Sequence, residues 1–337
     1  MKINVTQFIN LWNNVHNSYG IYIHSPFCTN TCTFCAYRGI SNQSTEVINQ
    51  YYQNLLRYLD LFIPYIQQHT PEVIYFGGGT PNLFPTFILQ EVFKRFEGLI
   101  NTNIAVELSP SDSLKDLEIW AKNSDLIILG VQSFDLTTLQ TIKRKHVTFD
   151  KVKEVVDIIK RFGCHCAIDL VADLHNNDTW DRFLNDFSLA KTLDVDFICI
   201  ADNYNQRLNQ DKIYELALQH SNLDVLDKNA RSYIINFTDY NPQNEIFRKY
   251  YYTPERMYHS VLGIGAVTYQ THPTMSTLLI DNHRFDVKQL DWESLQVYQL
   301  ASQDITKDIL DYSKPIQNLL KDCDINNIIN QTKGIKK

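Results

Sequence analysis

The stretch Cys28-Thr-Asn-Thr-Cys32-Thr-Phe-Cys35 places three thiols within eight residues. Cysteine thiolates are the usual ligands of iron–sulfur clusters, which normally take four. This run lacks a fourth cysteine, so one iron of a 4Fe–4S cluster would stay open to another ligand. The spacing therefore favours a cluster. A zinc site or three unrelated thiols are the alternatives, although zinc usually takes four ligands in two pairs.

Two further segments complete a pattern with this cysteine loop. Tyr22-Ile-His-Ser-Pro-Phe-Cys28 leads into the loop, Phe34 precedes its last thiol, and Phe76-Gly-Gly-Gly-Thr-Pro81 follows later. Together they resemble the radical S-adenosylmethionine (SAM) superfamily, within it the branch of the oxygen-independent coproporphyrinogen III oxidase. That branch also holds haem chaperone-like proteins and the class C methyltransferases and cyclopropanases. The resemblance covers roughly residues 20–200 and implies that the three cysteines bind a 4Fe–4S cluster.

The glycine run Gly77-Gly-Gly-Thr-Pro81 directly follows a strand-like segment. Glycine has no Cβ, so the backbone of such a run can approach a ligand closely. The alternative is a plain turn in which Thr80 caps a helix that begins at Pro81. The resemblance to the family implies that this turn holds the amino group of SAM.

Four later motifs match the family where it contacts SAM. They are Val106-Glu-Leu-Ser-Pro110, Leu129-Gly-Val-Gln-Ser-Phe134, Lys143-Arg-Lys-His146 and Ala167-Ile-Asp-Leu170. A single polar residue in such a motif is more often a solvated group. Together the motifs offer carboxylates for hydroxyls or an ammonium and a guanidinium for a carboxylate. The resemblance implies SAM contacts for Tyr22, Phe34, Gly78, Gly79, Thr80, Glu107, Gln132, Arg144 and Asp169.

Strand-like and helical segments alternate from residue 20 to about residue 205. This alternation predicts a parallel α/β architecture of about six βα units, either an open sheet or a barrel. The resemblance implies an incomplete (β/α)6 barrel with active residues at the C-terminal strand ends. The predicted strands are 20–25, 73–76, 104–108, 126–129, 164–171 and 197–200, and the predicted helices are 45–68, 87–96, 114–122, 151–162 and 180–193.

The chain divides into a leader over residues 1–19, a radical SAM partial barrel over 20–205 and a substrate-side region over 206–337. The last region is expected to be a smaller, remodelled α+β unit with a strand at Tyr233–Phe237, a glycine-containing strand at Val261–Tyr269 and polar helices over 290–337. It lacks the H-N-x-x-Y-W signature of the haem chaperone-like members. The G-L-P turn of the family is replaced by Val171-Ala-Asp-Leu-His175.

Strand alternation separates the remaining thiols from the cluster cysteines. If Asp169 faces the barrel interior, His165 does as well, and Cys164 and Cys166 face the outer helices. These two thiols, together with Cys199 and Cys323, are interpreted as core residues. His165 is either a substrate-cavity residue or a satisfied core histidine.

Composition excludes several classes of protein. The 337 residues carry a net charge of −7, which does not suggest a nucleic-acid surface. No apolar run of about 18 residues predicts a membrane span, and residues 1–8 lack the features of a signal peptide. These features predict a cytoplasmic protein. The resemblance to the family implies a small-molecule substrate and, as partner, an electron donor such as flavodoxin or ferredoxin.

The resemblance implies a reductive cleavage of SAM at the cluster, which yields a 5′-deoxyadenosyl radical. We favour a class C-like transfer of a methyl or methylene unit to a small molecule, which would use two SAM molecules. Oxidative decarboxylation of coproporphyrinogen III, or haem handling, is the first alternative. A non-enzymatic protein whose cluster transfers electrons or binds a partner is the second. The sequence assigns no catalytic acid or base.

Overall fold

The computed structural model describes residues 2–4, 19–35, 39–145, 147–175, 177–203 and 208–220, together with five strands between residues 232 and 299. The strands are β1 (Lys2–Asn4), β2 (Tyr19–Ser25), β3 (Val73–Gly78), β4 (Asn103–Leu108), β5 (Leu126–Gln132), β6 (His165–Val171), β7 (Phe197–Ala201), β8 (Ser232–Asn236), β9 (Ser260–Ile264), β10 (Met275–Ile280), β11 (His283–Gln289) and β12 (Ser294–Gln299). The helices are α1 (Thr45–Gln68), α2 (Thr86–Phe96), α3 (Leu117–Asn123), α4 (Leu136–Thr141), α5 (Phe149–Arg161), α6 (Trp180–Ala190) and α7 (Gln210–His220), with a 3-10 turn at Pro81–Leu83.

The strands form one sheet in the order β1-β12-β11-β10-β9-β2-β3-β4-β5-β6-β7-β8. Strands β2 to β7 are six consecutive parallel neighbours, and helices connect them. In the described residues the two ends of this order do not pair, so the sheet is open. The predicted α/β fold, an incomplete (β/α)6 barrel, is confirmed.

Further strands extend both edges of this parallel core. Strand β9 pairs in parallel with β2, and β10, β11, β12 and β1 follow it as antiparallel neighbours. Strand β8 pairs antiparallel with β7 at the opposite edge. The sheet therefore draws strands from all three predicted segments of the chain, whose boundaries stay a prediction.

Alternating side chains divide the core into two layers. The outward side chains of the parallel strands pack on the helices, as Ile23 and Phe76 do with Tyr52 and Trp120. The inward side chains form a smaller buried cluster that contains Tyr22, Val73, Tyr75, Ala105, Leu126, Ile128, Ala167, Phe197 and Cys199. A concave inner face is thus built from one residue in two along each strand.

The three described thiols outside the cysteine loop are buried. Cys164 and Cys166 lie in the outer core beside the helices, as alternation predicts. Cys199 is buried as well, although it lies on the inner face, because it stands in register with Asp169. Cys323 lies outside the described residues.

Several sequence predictions differ from the structure in detail. The prediction of polar helices over 290–337 is wrong at Ser294–Gln299, which forms strand β12. The sequence did not predict the short helix α4. The strand predicted at Tyr233–Phe237 is present as β8, and β9 covers the start of the glycine-containing strand. Within the described stretches, no helix combines the length and apolarity that a membrane span requires.

Candidate cofactor site

The cysteine loop leaves the C-terminal end of β2. Its base is closed by two backbone hydrogen bonds, from Cys28 N to Ile40 O at 3.0 Å and from Ile40 N to Pro26 O at 2.8 Å. All three cysteines are free thiols and half-buried, whereas Cys164, Cys166 and Cys199 are buried. The loop therefore presents its thiols at the edge of the sheet where radical SAM barrels place their active residues.

Polar groups surround two of these sulfurs. Nη1 of Arg144 and Nδ2 of Asn30 each lie 3.8 Å from Sγ of Cys32. Burial raises the pKa of Cys28 to about 11, while a hydrogen bond with the Thr80 side chain opposes this rise. Metal ligation requires the thiolate, so donors that point at sulfur favour the ligating form.

The donor set fits an iron–sulfur cluster better than a single metal ion. No group of three or more His, Cys, Asp or Glu side chains in the described part of the chain is arranged for one metal ion. In a cubane cluster each cysteine ligates a different iron, so its thiols stand further apart than the ligands of one ion. Three neighbouring thiols with hydrogen-bond donors are therefore compatible with the predicted cluster.

The glycine turn after β3 packs directly against this loop. Gly79 N donates to Ser25 O at 2.5 Å and Thr80 N donates to Phe27 O at 2.7 Å. A Cβ on Gly79 would lie 2.5 Å from Phe27 O and 3.0 Å from Sγ of Cys28, so only glycine allows this approach. Gly78 has φ +108, and a Cβ there would collide with the His24 ring.

The alternative in which Thr80 caps a helix holds only in part. A 3-10 turn does begin at Pro81, but the Thr80 side chain makes no capping hydrogen bond. It bonds to Cys28 instead. The turn thus links the glycine run to the predicted cluster ligand.

Two carboxylates face each other on the inner face of the sheet. The hydroxyl of Tyr75 donates to Oε1 of Glu107, and Tyr75 stacks on Tyr22 with ring centroids 6.0 Å apart. Burial and the nearby Asp169 carboxylate together raise the pKa of Glu107 to about 7, although the Tyr75 hydrogen bond opposes the rise. A cation bound here would relieve the repulsion between the carboxylates.

A bulge at the end of β5 lies beside two more predicted contacts, Gln132 and Arg144. The pairing of β5 with β6 is irregular between Gly130 and Gln132, and Gln132 adopts φ 72. The Arg144 guanidinium donates to the Gly130 carbonyl with one nitrogen and approaches Cys32 with another. Arg144 thus connects the end of β5 with the cysteine loop.

Two side chains of helix α6 bond to the residues that follow this bulge. Sequence reasoning missed both of these side chains. Asp186 is fully buried and accepts from Ser133 Oγ at 2.5 Å and Phe134 N at 3.0 Å. Arg182 donates to Asp186 at 2.7 Å and to the Val171 carbonyl at 3.1 Å. The ends of β5 and β6 are therefore fixed by one ion-paired network.

An apolar cluster closes the far side of the site. The half-buried Phe34 of the cysteine loop packs on the buried side chains of Leu139, Ile142, Val171 and Leu174. This cluster lies at the C-terminal end of β6 and beside α4. It forms a wall that a flat apolar group could contact.

His24 has an incomplete set of hydrogen bonds. Its side chain is 6% exposed, and among the described residues its Nδ1 has no hydrogen-bond partner. Burial lowers its pKa to about 3, so the ring is neutral. A buried polar atom without a partner costs free energy, which indicates a place for a ligand group.

Comparison with known proteins supports the same class. Residues 22–187 match the model of the Radical SAM superfamily. The chain is 27% identical over 186 residues to an anaerobic coproporphyrinogen III oxidase of Cereibacter sphaeroides, covering 52% of this chain and 38% of that protein. It is 30% identical over 181 residues to the heme chaperone HemW of Haemophilus influenzae, covering 50% of this chain and 47% of that protein.

The fold is similar to the solved coproporphyrinogen III oxidase of Escherichia coli, with a TM-score of 0.63 and 16% identity over 84% of this chain and 70% of that one. This chain spans less than half the length of the two curated relatives. Through residues 22–187 it belongs to the radical SAM superfamily. Membership implies a 4Fe–4S cluster and SAM as cofactors.

The structure brings the predicted site residues together at the C-terminal ends of the parallel strands. Thr80 contacts Cys28, Arg144 approaches Cys32, and Glu107 lies near Asp169. The roles of these residues as cluster ligands and SAM contacts stay predictions. His165 lies at the opposite ends of the strands, where its Nδ1 is 3.3 Å from Asp196, so of its two interpretations the satisfied histidine fits and the substrate-cavity residue does not.

Proposed function

We propose that this chain binds a 4Fe–4S cluster through Cys28, Cys32 and Cys35 and reductively cleaves SAM. The observation that carries the proposal is the contact of the cysteine loop with both the glycine turn and Arg144. Thiols, a glycine turn packed against them and a cation thus lie together at the C-terminal ends of the strands. A plain structural role would not need this combination.

The residues around the loop have distinct tasks in this proposal. Thr80 bonds to Cys28, and Asn30 and Arg144 donate toward Cys32, which favours the thiolate form that ligation requires. Glu107 and Asp169 offer negative charge to the cationic cofactor. When bound, the cluster and SAM supply radical chemistry that begins with one electron and removes a hydrogen atom from the substrate.

Orientation and water exclusion fall to the rest of the site. Gly78 and Gly79 let the turn pack directly against His24 and the cysteine loop, so the turn stands beside the predicted cluster ligands. The apolar wall around Phe34 keeps water from the adjacent space. The network of Ser133, Asp186 and Arg182 fixes the turn that carries Gln132.

For the reaction, we propose a class C-like transfer of a one-carbon unit to a small molecule. The buried Asp202, which follows β7 at the C-terminal ends of the strands, supports this choice, whereas Asp173 after β6 is already bonded to Asn209. Coproporphyrinogen carries propionates, which need cationic partners and would be repelled here. Arg182 is already paired with Asp178 and Asp186.

Coproporphyrinogen oxidation is the second candidate. The relatives reported above include a coproporphyrinogen III oxidase, and the fold match is to another. Arg248, Lys249 and Arg256 are cations that could hold propionates, and they lie outside the described residues.

Product analysis with methyl-labelled SAM tests both reactions. The reconstituted, reduced protein is incubated without oxygen with candidate unsaturated substrates and, in parallel, with coproporphyrinogen III. One-carbon transfer predicts label in the product together with 5′-deoxyadenosine and S-adenosylhomocysteine. Carbon dioxide from coproporphyrinogen without label transfer would favour the second candidate. If no 5′-deoxyadenosine forms with any substrate, the non-enzymatic alternative is correct.

A further inference from the structure

Two exposed lysines flank the predicted cluster site without a charged partner. Lys143 and Lys145 are exposed, and neither forms an ion pair with a described residue. Other described lysines have partners: Lys191 and Lys212 lie over the rings of Phe187 and Trp180. An ion pair with a carboxylate is made by each of Lys94, Lys115, Lys122, Lys151, Lys153 and Lys160. Unpaired cations are notable on a chain with a net charge of −7.

The segment that carries these lysines lies directly against the cysteine loop. Thr33 N donates to Ile142 O at 2.9 Å, and the Asn30 amide donates to the Lys143 carbonyl. Between the lysines, Arg144 turns inward to Cys32. The backbone of the segment that carries the lysines is therefore held beside the thiols by direct hydrogen bonds.

The exposed part of the cysteine loop is neutral. Thr29, Thr31 and Thr33 are exposed and carry only hydroxyl groups. Among the described residues, Asp112 is the carboxylate that contacts them, and it accepts from the Thr29 hydroxyl. Beside this single acidic group, the two lysines give the surface next to the predicted cluster an excess of positive charge, which favours the approach of an acidic protein.

Lys143 also has an unusual backbone. It adopts φ 56 just after helix α4, in the left-handed region that favours glycine or asparagine. A lysine there costs conformational free energy that a glycine would avoid. The charge of the side chain is what a glycine at this exposed position would lack.

We propose that Lys143, Lys145 and the exposed threonines of the cysteine loop form the docking surface for an acidic electron-carrier protein of the flavodoxin or ferredoxin type. This inference rests on the proposed function, because a SAM-cleaving cluster needs one electron at a time. In the complex the carrier is oxidised by one electron and the cluster is reduced by one electron. Charge complementarity speeds such encounters and is weakened by salt.

The test measures binding of a bacterial flavodoxin to the reconstituted protein by surface plasmon resonance at low salt. Lys143→Asn keeps a residue that tolerates φ 56, and it is combined with Lys145→Gln to remove both charges. We expect roughly five- to tenfold weaker binding, with a difference that shrinks near 0.5 M salt. Lys151→Gln with Lys153→Gln removes two lysines from α5 and serves as the matched control, with unchanged binding.

A second readout separates this inference from the proposed function. The double variant at Lys143 and Lys145 should form 5′-deoxyadenosine more slowly with reduced flavodoxin but as fast as the parent with dithionite. Equal flavodoxin affinity in parent and variant overturns the docking surface. A loss with dithionite as well would instead assign the lysines to substrate or cofactor binding. Failure of the parent protein with dithionite would refute the proposed function itself.

Discussion

Buried carboxylates have opposite pKa shifts at the N-terminal and C-terminal edges of the parallel sheet, where its strands begin and end. At the N-terminal edge, Asp196 accepts from Lys160 Nζ at 2.8 Å and from Cys166 N at 2.7 Å, and His165 lies 3.3 Å away. These partners lower the pKa of Asp196 to about 2, although burial alone would raise it. At the C-terminal edge, burial and Asp169 raise the pKa of Glu107 to about 7.

The difference separates a stabilising edge from a binding edge. Asp196 has donors for its charge and therefore contributes to folding. Glu107 has the Tyr75 hydroxyl and a second carboxylate nearby, and His24 Nδ1 has no partner among the described residues. Groups that the fold leaves repelled or unsatisfied are those that a bound cofactor can satisfy.

The first prediction removes the charge from the stabilising edge. Asp196→Ala leaves Lys160 and the amide of Cys166 without their acceptor, so we expect a loss of about 3 kcal/mol in the free energy of unfolding. Urea unfolding of the cluster-free protein measures it. SAM affinity of the folded variant should not change. The neighbouring exposed Asp194→Asn is the control, with a change within about 0.5 kcal/mol.

If Asp196→Ala unfolds at the urea concentration of the parent, the N-terminal edge has no such role. Acid provides an independent check. The folded pKa of Asp196 lies below the ordinary value of 3.8, so its contribution is present above about pH 4 and is lost as pH falls towards 2.

The second prediction concerns the binding edge. Arg144→Ala should weaken SAM binding by about one to two decades, because a charged hydrogen-bond partner contributes roughly 1.5–3 kcal/mol. Iron content should persist, since Asn30 still donates toward Cys32. Equilibrium binding of SAM by calorimetry measures the effect, and the exposed Arg161→Ala is the matched control. Parental SAM affinity in the Arg144 variant would remove this residue from the site.

The third prediction uses pH at the same edge. The ionised form of Glu107 favours a cationic ligand, so SAM affinity should rise by up to about tenfold as pH increases through 7. Glu107→Gln should bind SAM weakly with little dependence on pH. A pH series of SAM titrations tests this, with the exposed Glu118→Gln as control. An identical pH profile in the Glu107 variant would contradict it.

The contribution of Glu107 to the free energy of unfolding should change with pH in the opposite direction to that of Asp196. Its folded pKa lies above the ordinary value of 4.5, so the folded chain keeps a proton that the unfolded chain releases. Stability therefore falls as pH rises from 4.5 towards 7. Glu107→Gln should remove this decline, which urea unfolding at several pH values would reveal.

The sequence predicted the elements of the fold because strands and helices have different periods. The alternating segments from 20 to 205 gave all six central strands, with ends shifted by a few residues. Helix α4 has only six residues, too few for a helical period. Asp135, whose side chain caps it, was the available signal.

Side-chain partners were harder to predict because they depend on tertiary contact. Tyr75 looked like an ordinary apolar strand residue, yet its hydroxyl holds Glu107 from a position 32 residues away. Asp186 looked like a solvated residue of an amphipathic helix, yet it is buried and bonded to Ser133, 53 residues earlier. Alternation placed Cys164 and Cys166 correctly, since it needs only the strand itself.

Iron content and electron paramagnetic resonance test the central claim most directly. The anaerobically reconstituted and reduced parent should hold about four irons per chain, and SAM should shift its resonance signal because one iron is open. Changing Cys28, Cys32 and Cys35 together to Ala should abolish iron and signal, whereas Cys164→Ala with Cys166→Ala should keep both. Full iron content in the triple variant, or a parent signal that SAM leaves unchanged, would contradict the account.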